Sequence, residues 1–422
     1  MRVFLGAFGD PGHAFPMLAL GEALVARGHD VAIETWRRWE HAVAAAGMTF
    51  AAAPEYQVFP TPARPLKPYA AAVRAAGATR ASIRAFGPDV AMADLLTPAP
   101  ALAAELEGVP VATLVPHVHP HLESGFPPYS IGARLPRTRA GAALWRATDR
   151  MIRAGLEQGR REYNECRARL GLGPLPWVHT ALSRSLTLVA TLPQLEYPRR
   201  WPRWLRVVGP LMWEPEGERI EPPAGPGPVV LVAPSTAQDA ERRLLRAALA
   251  GLADEPVRVI ASWNGRASEP LTAPPNAVVV PWLSYSRTMP ACDLVVSHGG
   301  HGTLARALAC GCPLVISPAG GDMAENAARA DWAGLGVRLP RRFCTPRGVK
   351  LAVRRALEDA ALRRRAREVA HWAAEHDGRE RAVDELEAWA ARLGVGERET
   401  RPPGSADGRR ALDPTSRLAG GP

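Results

Sequence analysis

The chain has 422 residues, 47% of them hydrophobic, enough for two domains of ordinary size with buried cores. Its net charge of +10 is almost wholly arginine, since Lys67 and Lys350 are the only lysines. Five cysteines, an odd count with no CxxC pair, argue against a disulfide framework and against a cysteine zinc site. Residues 2–8 read as an apolar strand rather than a signal peptide, and no apolar run approaches the length of a transmembrane helix. A cytoplasmic protein is expected.

In chain order, the loop Gly9–His13 leads from this strand into a helix from about Phe15 to Arg27, with Pro16 in its first turn and Gly28 at its end. Asp30–Glu34 is the next strand. The order repeats through Val90–Ala93 and Val111–Leu114, which predicts a parallel sheet with helices on both faces. A long Arg-rich helical region spans about Ala140–Leu170, and strands return at Leu186–Ala190 and Leu205–Val208. Pro210–Pro228, rich in Pro, Gly and Glu, reads as a linker. A second alternating unit opens at Val229–Val232 and continues through Val257–Ser262, Ala277–Val280, Leu294–Ser297 and Leu314–Ser317. Gly348–Ala370 reads as one amphipathic helix and Arg379–Leu393 as another. Residues 396–422 are polar and aperiodic, and are expected to be disordered. The domains are therefore set at 1–209 and 229–395, with 210–228 between them.

The segment Asp293–Pro318 carries the most information. An apolar strand ends in Ser297-His298-Gly299-Gly300-His301-Gly302-Thr303, a short helix follows, Gly311 stops it, and Leu314–Ile316 closes the unit. A glycine turn between a strand and a helix N-terminus gathers backbone N–H groups where the helix dipole favours an anion. With His298 and Thr303 as added donors, it reads as a diphosphate cradle. No GxxxxGK[ST] loop, no GxGxxG after the first strand and no Asp-x-Asp motif competes with it.

This segment resembles the donor-binding signature of the UDP-glycosyltransferase superfamily: Trp282, then His298–Thr303, then the acidic Asp322. The resemblance covers most of residues 1–390. It implies an α/β fold of two Rossmann-like domains (GT-B) facing each other across a cleft, with the active site at the C-terminal ends of the strands. It implies a nucleotide-sugar donor on the C-terminal domain, a hydrophobic small-molecule acceptor on the N-terminal domain, and inverting, metal-independent transfer with no cofactor. Ser235 and Thr236 stand where the family often has a phosphate-contacting hydroxyl; alternatively they are turn residues.

The family's Gly-His-x-x-Pro pattern is met by Gly12-His13-Ala14-Phe15-Pro16, which makes His13 the general base. The helix N-terminus is expected to keep its ring neutral. Asp94, ending the strand Val90–Ala93, is its orienting carboxylate. Without the resemblance, His13 reads as a turn cap and Asp94 as a helix cap.

Two departures bear on the donor. Met323 stands where the family has Gln, and Arg306 where plant members carry a ribose-binding Glu; both fit a TDP-deoxysugar better than UDP-glucose. Asp322 and Glu325 also fit a capping box. His117, His119 and His121 alternate on one side of an extended loop, and with Phe126, Tyr129 and Trp145 they are expected to wall the acceptor site, with Tyr56, Phe59 and Tyr69 opposite. No metal site is expected there.

The basic clusters at Arg134–Arg161 and Arg354–Arg367 read first as solvated faces. Their alternative is an anionic membrane surface bearing a lipid acceptor. Nucleic acid is not expected. A degenerate, non-catalytic auxiliary protein is the remaining alternative.

Overall fold

The computed structural model describes residues 1–54, 70–120, 123–235, 241–263 and 272–395. Two all-parallel sheets form its frame. The first holds β1 (Arg2–Gly6), β2 (Asp30–Thr35), β3 (Thr49–Ala52), β4 (Val90–Asp94), β5 (Val111–Val115), β6 (Thr187–Val189) and β7 (Leu205–Val207), in the order β3-β2-β1-β4-β5-β6-β7. The second holds β8 (Val229–Ala233), β9 (Arg258–Ser262), β10 (Ala277–Val280), β11 (Leu294–Ser297), β12 (Leu314–Ile316) and β13 (Gly336–Arg338), in the order β10-β9-β8-β11-β12-β13. In both, the strand order reverses beside the first strand. Such a switch point opens a crevice at the carboxyl edge of an α/β sheet.

The helices are α1 (Pro11–Ala26), α2 (Glu40–Ala45), α3 (Ala70–Phe86), α4 (Pro98–Leu106), α5 (Arg139–Arg146) and α6 (Asp149–Arg169) in the first half. The second half has α7 (Arg243–Leu252), α8 (Tyr285–Thr288), α9 (His301–Ala309), α10 (Gly321–Ala333), α11 (Pro346–Glu358), α12 (Ala360–Glu375) and α13 (Gly378–Arg392). The central strands are buried on both faces, which is why they read as continuous apolar runs.

Three expectations are corrected. Helix α1 begins at Pro11, not Phe15: Pro11 fills the first helical position, where its missing N–H costs nothing, and Pro16 lies inside the helix. The helical region expected over 140–170 is present, as α5 and α6. The single helix over 348–370 is instead two, because Asp359 accepts the N–H groups of Ala361 and Leu362 at 2.9 and 3.1 Å and restarts the chain as α12. Lastly, α13 leaves the second sheet and lays Ala382, Val383, Leu386 and Trp389 into the core beside Met17, Leu20 and Leu24 of α1. In space, residues 378–392 therefore belong to the N-terminal unit, and the C-terminal domain of 229–395 ends near Glu375.

The connection 210–228 has no regular structure but is not a free tether. Leu211 is buried in the first core, Trp213 packs on it, and Trp213 Nε1–H donates to Glu22 at 2.6 Å. The expected disordered tail, 396–422, lies outside the described residues.

A buried ionic cluster ties the halves together. Arg329 of α10 is 2% exposed. It donates to Glu325 at 2.8 Å, to Glu196 of the first half at 2.6 Å and to the His119 carbonyl at 3.0 Å. Its guanidinium lies over the Tyr197 ring, 4.6 Å from the centroid. A buried cation needs paired charges and full hydrogen bonding, and here both come from two domains at once.

Candidate active site

The carboxyl edge of the first sheet brings His13 and Asp94 together. Val3–Gly6 of β1 pair with Val90–Ala93 of β4, so the loop after Gly6 and the last residue of β4 emerge side by side. The loop carries His13 in the first turn of α1, and Asp94 ends β4. His13 Nδ1 lies 3.0 Å from Asp94 Oδ1 and 2.8 Å from Oδ2. The carboxylate is itself held by the N–H groups of Phe8 at 3.3 Å and Leu96 at 3.0 Å. With Nδ1–H donating to Asp94, a neutral ring presents its lone pair on Nε2.

Burial is the largest influence on His13 and opposes protonation. The charge and hydrogen bond of Asp94, aided by Asp322 and Asp10, outweigh it, so the pKa is raised above the ordinary 6.5. This corrects the expectation that the helix N-terminus dominates. The adjacent carboxylates win, and the ring is a stronger base than a free histidine.

His117 meets the His13 ring edge-on, centroids 6.1 Å apart. Its Nδ1 lies 2.8 Å from the Val118 carbonyl and 3.2 Å from the Tyr129 hydroxyl. Burial first, and His13 second, lower its pKa, so it stays neutral beside a ring that gains charge. Desolvation of the half-buried Tyr129 raises its pKa well above the ordinary 10. Of the expected wall residues, His117 thus touches the His13 ring, and Tyr129 stands behind His117.

Phe126 does not join them. Its ring packs edge-on against Tyr197 at 5.8 Å and under the Arg199 guanidinium at 5.1 Å, within the interdomain cluster. His119 also parts from His117, meeting Trp201 at 5.6 Å. Clamping of the His119 backbone by Glu196 and Arg329 overrides simple alternation. His121, Tyr56, Phe59 and Tyr69 lie outside the described residues. Among the described residues no three His, Cys, Asp or Glu side chains gather as metal ligands.

Facing this pair is the glycine turn. Gly299 has φ +95°, and a Cβ there would stand 2.9 Å from the Met323 carbonyl oxygen. A Cβ on Gly300 would overlap the His298 ring at 2.5 Å. His298 Nδ1 is 3.1 Å from the Ala233 carbonyl of β8. Helix α9 then starts at His301 with no side-chain cap, so its first N–H groups are open to a ligand.

A cavity of about 170 Å³ lies between the domains. Phe15 and Pro16 of α1 form one wall; Trp282, His298, Gly300, Gly302 and Thr303 form the other. Trp282 is 40% exposed and stands on this wall rather than in a core. Ser235 follows β8 at the same sheet edge, while Thr236 lies outside the described residues.

Asp322 lies in the first turn of α10, behind the cap residue Gly320, and Glu325 turns to Arg329. The capping-box reading is therefore corrected. The charge of Asp322 reaches His13, His117 and Tyr129 across the cleft.

Several cavity residues had not been assigned to the site by sequence reasoning, among them His301, Trp213 and Glu214. His301 is buried, with Nε2 3.2 Å from the Ala190 carbonyl; burial drives its pKa down to about 3, so it is a neutral donor. Trp213 and Glu214 come from the connection. Glu214 accepts from the Ser284 hydroxyl at 2.6 Å and from the N–H groups of Tyr285 and Ser286 at 3.1 and 3.0 Å. Arg306 Nε stands 3.7 Å away. Burial would raise the Glu214 pKa, but the two serines and Arg306 hold it below the usual value. The only available signal was a glutamate in a Pro-rich stretch.

Comparison with known proteins bears on this arrangement. Residues 246–388 match the family described as erythromycin biosynthesis protein CIII-like, C-terminal domain. The chain is 30% identical to 4'-demethylrebeccamycin synthase of Lentzea aerocolonigenes, over 92% of this chain and 99% of that one. Solved structures with the same fold include the calicheamicin glycosyltransferase CalG4 (TM-score 0.70, 24% identity, 93% of this chain and 99% of that one). Another is the glycosyltransferase VinC in complex with dTDP (TM-score 0.68, 19% identity, 93% and 100%).

Fold, cleft and likeness together define a glycosyltransferase of the GT-B class. Within that class, the chain belongs to the UDP-glycosyltransferase superfamily, in its bacterial natural-product branch. No helix among the described residues is long and apolar enough to cross a membrane.

Proposed function

We propose that the protein transfers a sugar, with inversion and without a metal ion, from a nucleoside diphosphate sugar to a hydroxyl of a hydrophobic small molecule. The observation that carries this reading is the His13–Asp94 pair at 2.8–3.0 Å, facing an uncapped helix N-terminus across one cleft. Nε2 of His13 takes the acceptor proton. The freed oxygen attacks the anomeric carbon from the face opposite the diphosphate, and the bond to the phosphate oxygen breaks with its electron pair leaving on the diphosphate. His298, Thr303 and the first N–H groups of α9 meet that charge. Asp322 takes hydroxyls of the sugar, and Trp282 flanks the base.

Thymidine diphosphate is the proposed nucleotide. Where a ribose-binding carboxylate is expected, Arg306 stands instead, and Glu214, the carboxylate on the cavity wall, is engaged by α8 and Arg306. The related structure holding dTDP supports the same choice. Calorimetric titration with TDP, UDP and NAD tests it. Saturable binding of TDP ahead of UDP, with none of NAD, is expected; absence of binding by either pyrimidine diphosphate overturns the reading.

A further inference from the structure

A second cavity, of about 260 Å³, lies in the N-terminal half, bordered by Arg184, Arg199 and Arg200, by Trp201 and Trp204, and by His119. One carboxylate, Glu123, is also on its wall, beside three guanidinium groups. The cations are arranged in depth. Arg184 and Arg200 are exposed at the mouth. The Arg199 side chain is only 2% exposed. Its guanidinium is stacked between Phe126 and Trp201, at 5.1 and 4.9 Å from the ring centroids.

Arg199 is a cation held in a dry aromatic slot. Its neighbour Glu196 lies 4.0 Å away and is shared with Arg329 and the His119 N–H, both at 2.6 Å. Burial and the charge of Arg329 lower the Arg199 pKa, against the pull of Glu196. Planar guanidinium groups beside aromatic rings suit an oxyanion carried on a flat apolar body.

We propose that this cavity is an oxyanion-binding subsite that holds a carboxylate or phosphate on the far end of the acceptor. The link to the reaction is the loop after β5. His119 borders this cavity, and His117, two residues earlier, touches the His13 ring; two extended residues span about 7 Å. One acceptor can therefore reach both places. The acceptor assignment rests on the proposed transfer reaction, whereas anion binding does not.

The test has two arms. Tryptophan fluorescence of the full chain is titrated with phenyl phosphate, benzoate and neutral benzamide. The two anions are expected to saturate and benzamide not to. Arg200→Gln and Arg184→Gln, both at the exposed mouth, should each weaken the anions about tenfold, with Arg→Lys restoring part and TDP affinity unchanged. Equal response to benzamide, or anion binding indifferent to both substitutions, overturns the site whether or not the enzyme turns over. In the second arm, phenyl phosphate should compete with a turned-over acceptor, raising its KM at constant kcat. Inhibition that is not competitive with acceptor overturns the acceptor assignment.

Discussion

Nδ1 of His13 lies between the two oxygens of Asp94, 3.0 Å from one and 2.8 Å from the other, although 81 residues separate them. The pairing of β1 with β4 brings them together, and the N–H groups of Phe8 and Leu96 fix the carboxylate. As proposed base and orienter, they should act as a unit. His13→Ala is expected to lower kcat by roughly 10²–10⁴-fold while leaving the TDP dissociation constant within about twofold. Equal losses of turnover and donor affinity would refute the role of His13.

The same pair sets the pH profile. Because Asp94 raises the His13 pKa above 6.5, activity should fall toward acid as the ring protonates, with its midpoint above 6.5. Asp94→Asn removes the largest factor favouring the charged ring. Its residual activity should then persist to lower pH than that of the wild type. An acid limb at the same pH in both proteins would show that the titrating group is not His13.

Gly299 joins backbone strain to the proposed donor side. At φ +95° a Cβ costs about 1–2 kcal/mol, and here it also meets the Met323 carbonyl at 2.9 Å. Gly299→Ala should lower the melting temperature and push β11 from the start of α10, which carries Asp322. TDP affinity is expected to drop about tenfold or more; an unchanged calorimetric isotherm would exclude the turn from the donor site.

The strand, glycine turn and helix of the proposed donor side were legible because their signals are local. A strand, a glycine turn and a helix start lie within Leu294–Ala309, and each fixes its own backbone. Asp94 was legible because it ends an unbroken apolar run. What stayed hidden depends on distant packing. Trp213 and Glu214 sit in a Pro-rich stretch whose composition suggests exposure, yet a contact 191 residues away, to Glu22, anchors them. Likewise α13 shows an ordinary amphipathic pattern that does not reveal which sheet it will cover. The break at Asp359 was readable, since Asp is a good helix cap, but the apolar period running through it masked the signal.

Arg329 should be among the least replaceable residues outside the cleft. Arg329→Met leaves Glu196 and Glu325 buried with their cation gone, and that usually costs about 3–5 kcal/mol. Urea unfolding should show this loss. Arg329→Met combined with Glu196→Gln should recover part of it, because the uncompensated charge is then removed. Additive losses in the double variant would mean that Arg329 acts through packing on Tyr197 alone.

Glu34 provides a pH-dependent stability test away from the chemistry. It is 1% exposed at the end of β2, and its one described side-chain partner is the Thr79 hydroxyl, which donates at 2.8 Å. Burial raises its pKa to about 7, against the hydrogen bond from Thr79. The folded protein thus binds this proton more tightly than the unfolded chain. The resulting stability is fully present below about pH 4.5 and is lost as pH rises through about 7. The span corresponds to something on the order of 3 kcal/mol. Glu34→Gln keeps an oxygen for Thr79 and removes the titration. Its unfolding free energy should match the wild type near pH 4 and exceed it by about 3 kcal/mol at pH 8. A constant offset between the two proteins across that range would show that Glu34 is ionised in the folded state throughout.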